Sequence, residues 1–263
     1  MLKPVSVGRV LLALLLFSLL PIAQAQISDL NSAINKAGRQ RMLSQRMAKA
    51  YFQIGLGVDT DRSRRILDSS VGLFDRQLAE LKTYAPAPEI RETYLKLDKL
   101  WQVYRSALTT AVPNQAEGAR ILALSDEALS LAQQGTQQLE SRSTTATARL
   151  VNIAGRQRML SQRMAKFYQA TAWQVGVEQA GAQIDQARRE FSAALSELGA
   201  APGNTPALRD DLELVRQQWL FFENALGQPP DSSKRRATTV ATTSERILET
   251  MESIVTQYEK LPR

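Results

Sequence analysis

The 263-residue chain contains no cysteine and no histidine. These absences exclude disulfides, thiol nucleophiles, zinc sites of the usual type, Ser-His-Asp triads and imidazole acid–base chemistry. No other constellation of acid, base and nucleophile stands out, so the sequence reads as a non-enzyme that needs no cofactor and holds no metal. Aromatic residues make up only 6% of the chain, and there is no nucleic-acid motif or stacking platform. After the first residues, no stretch stays apolar for the ~18 residues a membrane span requires. Glycine and proline are sparse and clustered, which leaves long uninterrupted segments between them. One local absence matters most. Leu30 to Val58 contains no Asp or Glu, although that stretch carries three arginines and two lysines.

The first 25 residues have the three parts of an export signal. Lys3 and Arg9 give a positive start, Val10 to Leu20 an apolar run, and Ala23-Gln24-Ala25 a small-residue cleavage site. Cleavage is expected after Ala25. The alternative is an uncleaved N-terminal anchor. Export places the mature chain in a bacterial periplasm, away from nucleic acid and from ATP, without a stable membrane span. The net charge of +7 then points to small anions or anionic surfaces as partners.

From residue 26 on, helical periodicity dominates. The breaks divide it into eight segments, roughly 28–56, 60–84, 88–111, 115–143, 144–176, 178–199, 206–226 and 232–260. The expected fold is all-α: two tandem antiparallel four-helix bundles, 26–143 and 144–263, after the signal at 1–25. Trp101 and Trp219 fall at matching points of the two repeats. The joint from Ser141 to Leu150 has no Gly or Pro. That favours one long shared helix and bundles stacked end to end, although Ser143, Thr144 and Thr145 could instead cap a new helix in a hairpin with the bundles side by side.

The repeat is anchored by a thirteen-residue identity. Ala37 to Lys49 reads AGRQRMLSQRMAK, and Ala154 to Lys166 repeats it without a change. Packing alone tolerates apolar swaps, so a fixed string with three arginines suggests more than packing. On a helical projection, Ile34, Ala37, Gly38, Ser44, Gln45, Ala48 and Phe52 lie within about 60° of Arg41. Leu43, Met47, Ala50 and Ile54 form an apolar stripe on the far side. Arg41 and its copy Arg158 thus sit on a small-residue face, with Gly38 and Gly155 allowing another helix to come close. A buried arginine requires a negative partner. That partner is either a bound planar oxyanion, which suits the guanidinium fork, or a carboxylate such as Glu80, Asp98 or Glu127. Ser44, Gln45, Ser161 and Gln162 are possible supporting ligands. Arg39, Arg46 and Lys49 read as solvated or surface-paired, and Met42, Met47, Met159 and Met164 as packing.

The segment Ile34-Asn35-Lys36-Ala37-Gly38-Arg39-Gln40-Arg41-Met42-Leu43-Ser44-Gln45-Arg46, with its copy Val151 to Arg163, resembles the N-terminal sensory module shared by PilJ-type pilus chemotaxis transducers and NarX-type nitrate/nitrite sensor kinases. The resemblance covers about a dozen positions twice. It implies a periplasmic four-helix bundle that dimerises through its first helices and binds nitrate or nitrite at the dimer interface. That role falls on Arg41 and Arg158, with Gly38 and Gly155 beside them. Arg39, Arg156, Gln40 and Gln157 look more like the pilus-transducer version. The membrane helix and cytoplasmic output usual in such proteins are not in this sequence. The expectation is a sensory protein without an output domain. The alternative is an interaction protein that uses the same helix faces to assemble with itself, a membrane chemoreceptor of this family or a pilus-related partner.

Overall fold

The computed structural model describes residues 27–231 and 233–261; the proposed export signal lies outside them. Among the described residues the chain forms eight helices and no strand. They are α1 (Leu30–Leu56), α2 (Thr60–Tyr84), α3 (Pro88–Thr109), α4 (Gln115–Glu140), α5 (Ala146–Ala172), α6 (Val177–Ala200), α7 (Pro206–Leu226) and α8 (Arg235–Glu259). None of them is long and apolar enough to cross a membrane.

Local chemistry sets the ends. Asp29, Asn114, Thr145 and Thr205 each accept a hydrogen bond from a first-turn amide, which satisfies a donor the helix itself leaves open. Pro88 and Pro206 open α3 and α7, where a missing amide proton costs nothing. Gly57 closes α1 at φ 70°, and its amide bonds back to the carbonyls of Gln53 and Ile54. That left-handed C-terminal turn favours glycine.

Each repeat is a four-helix bundle. Its first helix packs on its second and fourth, and its third completes the square. Trp101 lies on Phe74 with ring centroids 4.2 Å apart, and Trp219 lies on Phe191 at 4.4 Å, so the same aromatic pair fills matching points of both cores. The expected stripe faces inward: Leu43, Met47 and Ala50 have no exposed surface.

The joint between repeats corrects the expectation of a long shared helix. α4 stops at Glu140 and α5 starts at Ala146. Ser143 Oγ lies 3.0 Å from Thr145 Oγ1 and accepts the Thr145 amide, while Thr145 Oγ1 caps α5. Three successive hydroxyl residues offer the backbone these alternatives to a helical ladder. The chain therefore turns back, and the bundles lie side by side.

What they share is the pair α1–α5, the most extensive helix contact in the molecule. The two helices run in the same direction with equivalent positions opposed. Gly38 and Gly155 border the same pair of arginines, and near the other end Trp173 lies against Gly55, Tyr51 and Phe52. The two repeats thus form, within one chain, the parallel first-helix pairing that the resemblance implied between two chains. With a bundle on one side and α5 on the other, α1 is buried almost all round, including Gln40, Ser44, Gln45 and Lys49.

A Cβ added to Gly55 would fall within the Trp173 indole. Gly55→Ala should therefore destabilise the fold by about 1–3 kcal/mol despite the better helix propensity of alanine. Pairing it with Trp173→Ala should recover much of that loss. Urea denaturation of the single and double variants checks this, and additive losses would place the indole elsewhere.

Candidate functional site

Arg41 and Arg158 are wholly buried in the α1–α5 seam. An arginine in a helix reaches back toward the N-terminus, so each guanidinium lies beside the glycine one turn earlier. The Nη2 atoms of both arginines lie 3.1–3.5 Å from where a Cβ would stand on Gly38 or Gly155. The two guanidiniums therefore occupy one space, and the missing side chains at Gly38 and Gly155 provide it. The structure thus brings together the four residues singled out from the sequence.

Their partners follow the internal symmetry. Arg41 Nη2 donates to Asn152 Oδ1 at 2.8 Å, and Arg158 Nη2 donates to Asn35 Oδ1 at 3.0 Å. Each asparagine passes the interaction to an acid, Asn152 to Glu140 at 2.5 Å and Asn35 to Glu259 at 2.7 Å. Neither Glu140 nor Glu259 hydrogen-bonds to the arginines directly. Arg41 Nη1 donates to Gln133 Oε1 at 2.7 Å, whereas Arg158 Nη1 donates to Glu252 Oε2 at 2.5 Å. The Nε of both arginines has no hydrogen-bond partner. Burial first, then Arg156, lowers the Arg41 pKa to about 9. Burial, Arg39 and Arg41 likewise lower that of Arg158. Guanidinium is not deprotonated in proteins near neutral pH, so both side chains are cations there.

The carboxylates weighed as partners of Arg41 lie elsewhere. Glu80 pairs with Lys36 and Asp98 with Lys82, and Glu127 is exposed on α4. Ser44 and Ser161 bond back to the carbonyls of Arg41 and Arg158. Gln45 and Gln162 donate to the carbonyls of Ser125 and Ser244. These four side chains tie each first helix to itself and to the fourth helix of its own repeat. Gln40 is fully buried with both amide atoms unpaired, while Gln157 donates to the Phe191 carbonyl.

The lysines correct the reading of surface charge. Lys49 and Lys166 have no exposure, and each crosses to the other repeat. Lys49 Nζ donates to Ser244 Oγ at 3.1 Å and Glu245 Oε1 at 2.5 Å on α8. Lys166 Nζ donates to Ser125 Oγ at 3.0 Å and Asp126 Oδ1 at 2.8 Å on α4, and sits 4.2 Å from the centre of the Phe167 ring. Arg39 pairs with Glu252 and Arg46 with Glu245, so both are half-buried cross-repeat contacts. Asn35, Asn152, Lys49 and Lys166 hold much of the seam, although Lys49 reads from the sequence as a solvated or surface-paired charge and the other three are not singled out there. Their signal was position: each stands at a matching place in both copies, and the lysines close the identical string.

The family of the type IV pili methyl-accepting chemotaxis transducer N-terminal domain, PilJ, matches residues 22–129 and again 139–260. The chain belongs to the PilJ family. It is a tandem PilJ protein, and the family's role is that of a sensory domain in chemotaxis transduction. No curated protein and no solved structure matches the chain.

The Lys49–Glu245 contact gives the tandem PilJ protein a defined acid response. Burial raises the Glu245 pKa, but Lys49 and Arg46 outweigh it and hold the carboxyl at about 2, below its ordinary 4.5. A depressed carboxyl pKa contributes stability that is complete above pH 4.5 and lost as pH falls toward 2. The share at stake is on the order of 3 kcal/mol. Denaturation midpoints measured from pH 6 downward should fall more steeply for the unmodified protein than for Glu245→Gln. Parallel curves would show that this contact carries none of the acid sensitivity.

Proposed function

We propose that this tandem PilJ protein is an exported, periplasmic sensory module that binds a small planar oxyanion, of the nitrate or nitrite kind, between α1 and α5. One observation carries the reading. Two fully buried guanidiniums share one space, each with an unpaired Nε, and none of the hydrogen-bond partners of Arg41 is a carboxylate. A buried cation without a contacting counter-charge costs several kcal/mol, and a planar anion matches the donor geometry of guanidinium. The N-terminal pattern of positive charge, apolar run and small residues supports export.

Sensing follows from where the anion would sit. It would bridge the two repeats at their most extensive contact, so its binding would alter how α1 rests on α5. A ligand shifts such a contact only by its difference in affinity for the two arrangements. The alternative of assembly through the small-residue faces is less well supported, because Gly38 and Gly155 already face the opposite repeat of the same chain. Chemoreceptor or pilus partners, which the family suggests, would meet other surfaces.

Isothermal titration with nitrate, nitrite and chloride tests the proposal. Nitrate or nitrite should bind and raise thermal stability, by about 2.7 kcal/mol at a hundredfold excess over Kd. Arg41→Ala should abolish the heat, and Arg158→Ala should change it. Absence of heat with every anion would sink the reading.

A further inference from the structure

The internal symmetry of the site fails at one pair of positions. Gln133 on α4 and Glu252 on α8 occupy equivalent places beside Arg41 and Arg158. One is neutral and the other is an acid. Every other polar partner of the two guanidiniums is matched: Asn152 by Asn35, and Glu140 behind the one by Glu259 behind the other. Glu252 also pairs with Arg39 from the opposite repeat, so its carboxylate spans the seam where an anion would.

We infer that Glu252 is a tethered counter-anion that occupies the Arg158 side of the site and restricts the free ligand to one monovalent anion on the Arg41 side, next to Gln133. The inference rests on the anion-binding reading above and adds the ligand's charge class and the residue that sets it. Two buried arginines facing each other would by themselves suit a divalent anion or two monovalent ones. Glu252 removes one of those charges. Arg39, the other partner of Glu252, is partly exposed, and water screens it more than it screens the buried pair. The remaining buried positive charge is Arg41, whose direct partners are both amides. The Glu252 side chain is itself 33% exposed, so solvent reaches the edge of the site at Glu252 while the two guanidiniums stay buried.

Two substitutions test this by exchanging the charges: Glu252→Gln and Gln133→Glu. The probes are nitrate as the monovalent and sulfate as the divalent anion. The unmodified protein should prefer nitrate. Glu252→Gln should gain at least about tenfold in sulfate affinity, the ratio that corresponds to 1.4 kcal/mol. Gln133→Glu should lose nitrate binding and, without added anion, melt at a higher temperature. A nitrate-to-sulfate preference unchanged in Glu252→Gln, or nitrate bound normally by Gln133→Glu, would overturn the inference while leaving anion binding intact. If the unmodified protein binds neither anion, the anion-binding reading fails and with it the charge class assigned here. The counter-anion role of Glu252 is then read from the anion-free melting temperatures: a rise in Gln133→Glu and a fall in Glu252→Gln support it, and no rise in Gln133→Glu refutes it.

Discussion

Two positive charges buried side by side are the constraint on which this molecule is built. The guanidiniums of Arg41 and Arg158 repel each other and are cut off from water. Only a dense set of acceptors makes that tolerable. The surrounding parts follow from this need. Glycine at 38 and 155 makes the space. Asn35 and Asn152 reach across the helix pair, each backed by a glutamate from a fourth helix. The acids stay one residue removed from the arginines, except at Glu252. The direct partners of Arg41 are thus amides, while Arg158 also meets the Glu252 carboxylate.

The same seam carries a second tier of charge about two turns along. Lys49 and Lys166 each leave their own bundle to meet a hydroxyl and a carboxylate in the other. Removing one partner of such a pair is costly because it strands the other charge. The lysines therefore make separation of the repeats expensive, and they bias the molecule toward one register of α1 against α5. Tandem duplication gives the pairing a further advantage. A pairing between chains depends on concentration, whereas two repeats on one chain meet at the high effective concentration set by their short connection.

Much of this was legible in the sequence, and the reasons differ by element. The eight helices were legible because proline and glycine mark most of their ends. The projection from Arg41 separated the small-residue face from the Leu43–Met47–Ala50 stripe, because a helix of fixed period needs no tertiary information to be projected. The turn at Ser141–Thr145 was not, since hydroxyl side chains can either cap a helix or sit within one, and the packing of α5 on α1 decides between them. Lys49 read as a solvated charge for a related reason. Its burial depends on Glu245, 196 residues away, in a helix whose sequence has drifted from its counterpart. One partner of Arg41, Gln133, was hidden in the same way, on α4, whose counterpart α8 carries Glu252 at the equivalent place.

In this tandem PilJ protein the first helices of the two repeats pair within a single chain. The central claim is that Arg41 and Arg158 form one site within that chain. Nitrogen-15 NMR of the arginine Nε–H groups tests it most directly, because buried guanidinium protons are shielded from exchange with water. At a concentration where sedimentation shows a monomer, Arg158→Ala should shift the Arg41 Nε–H signal, and nitrate should shift it in the unmodified protein. An Arg41 signal that responds to neither would contradict the account.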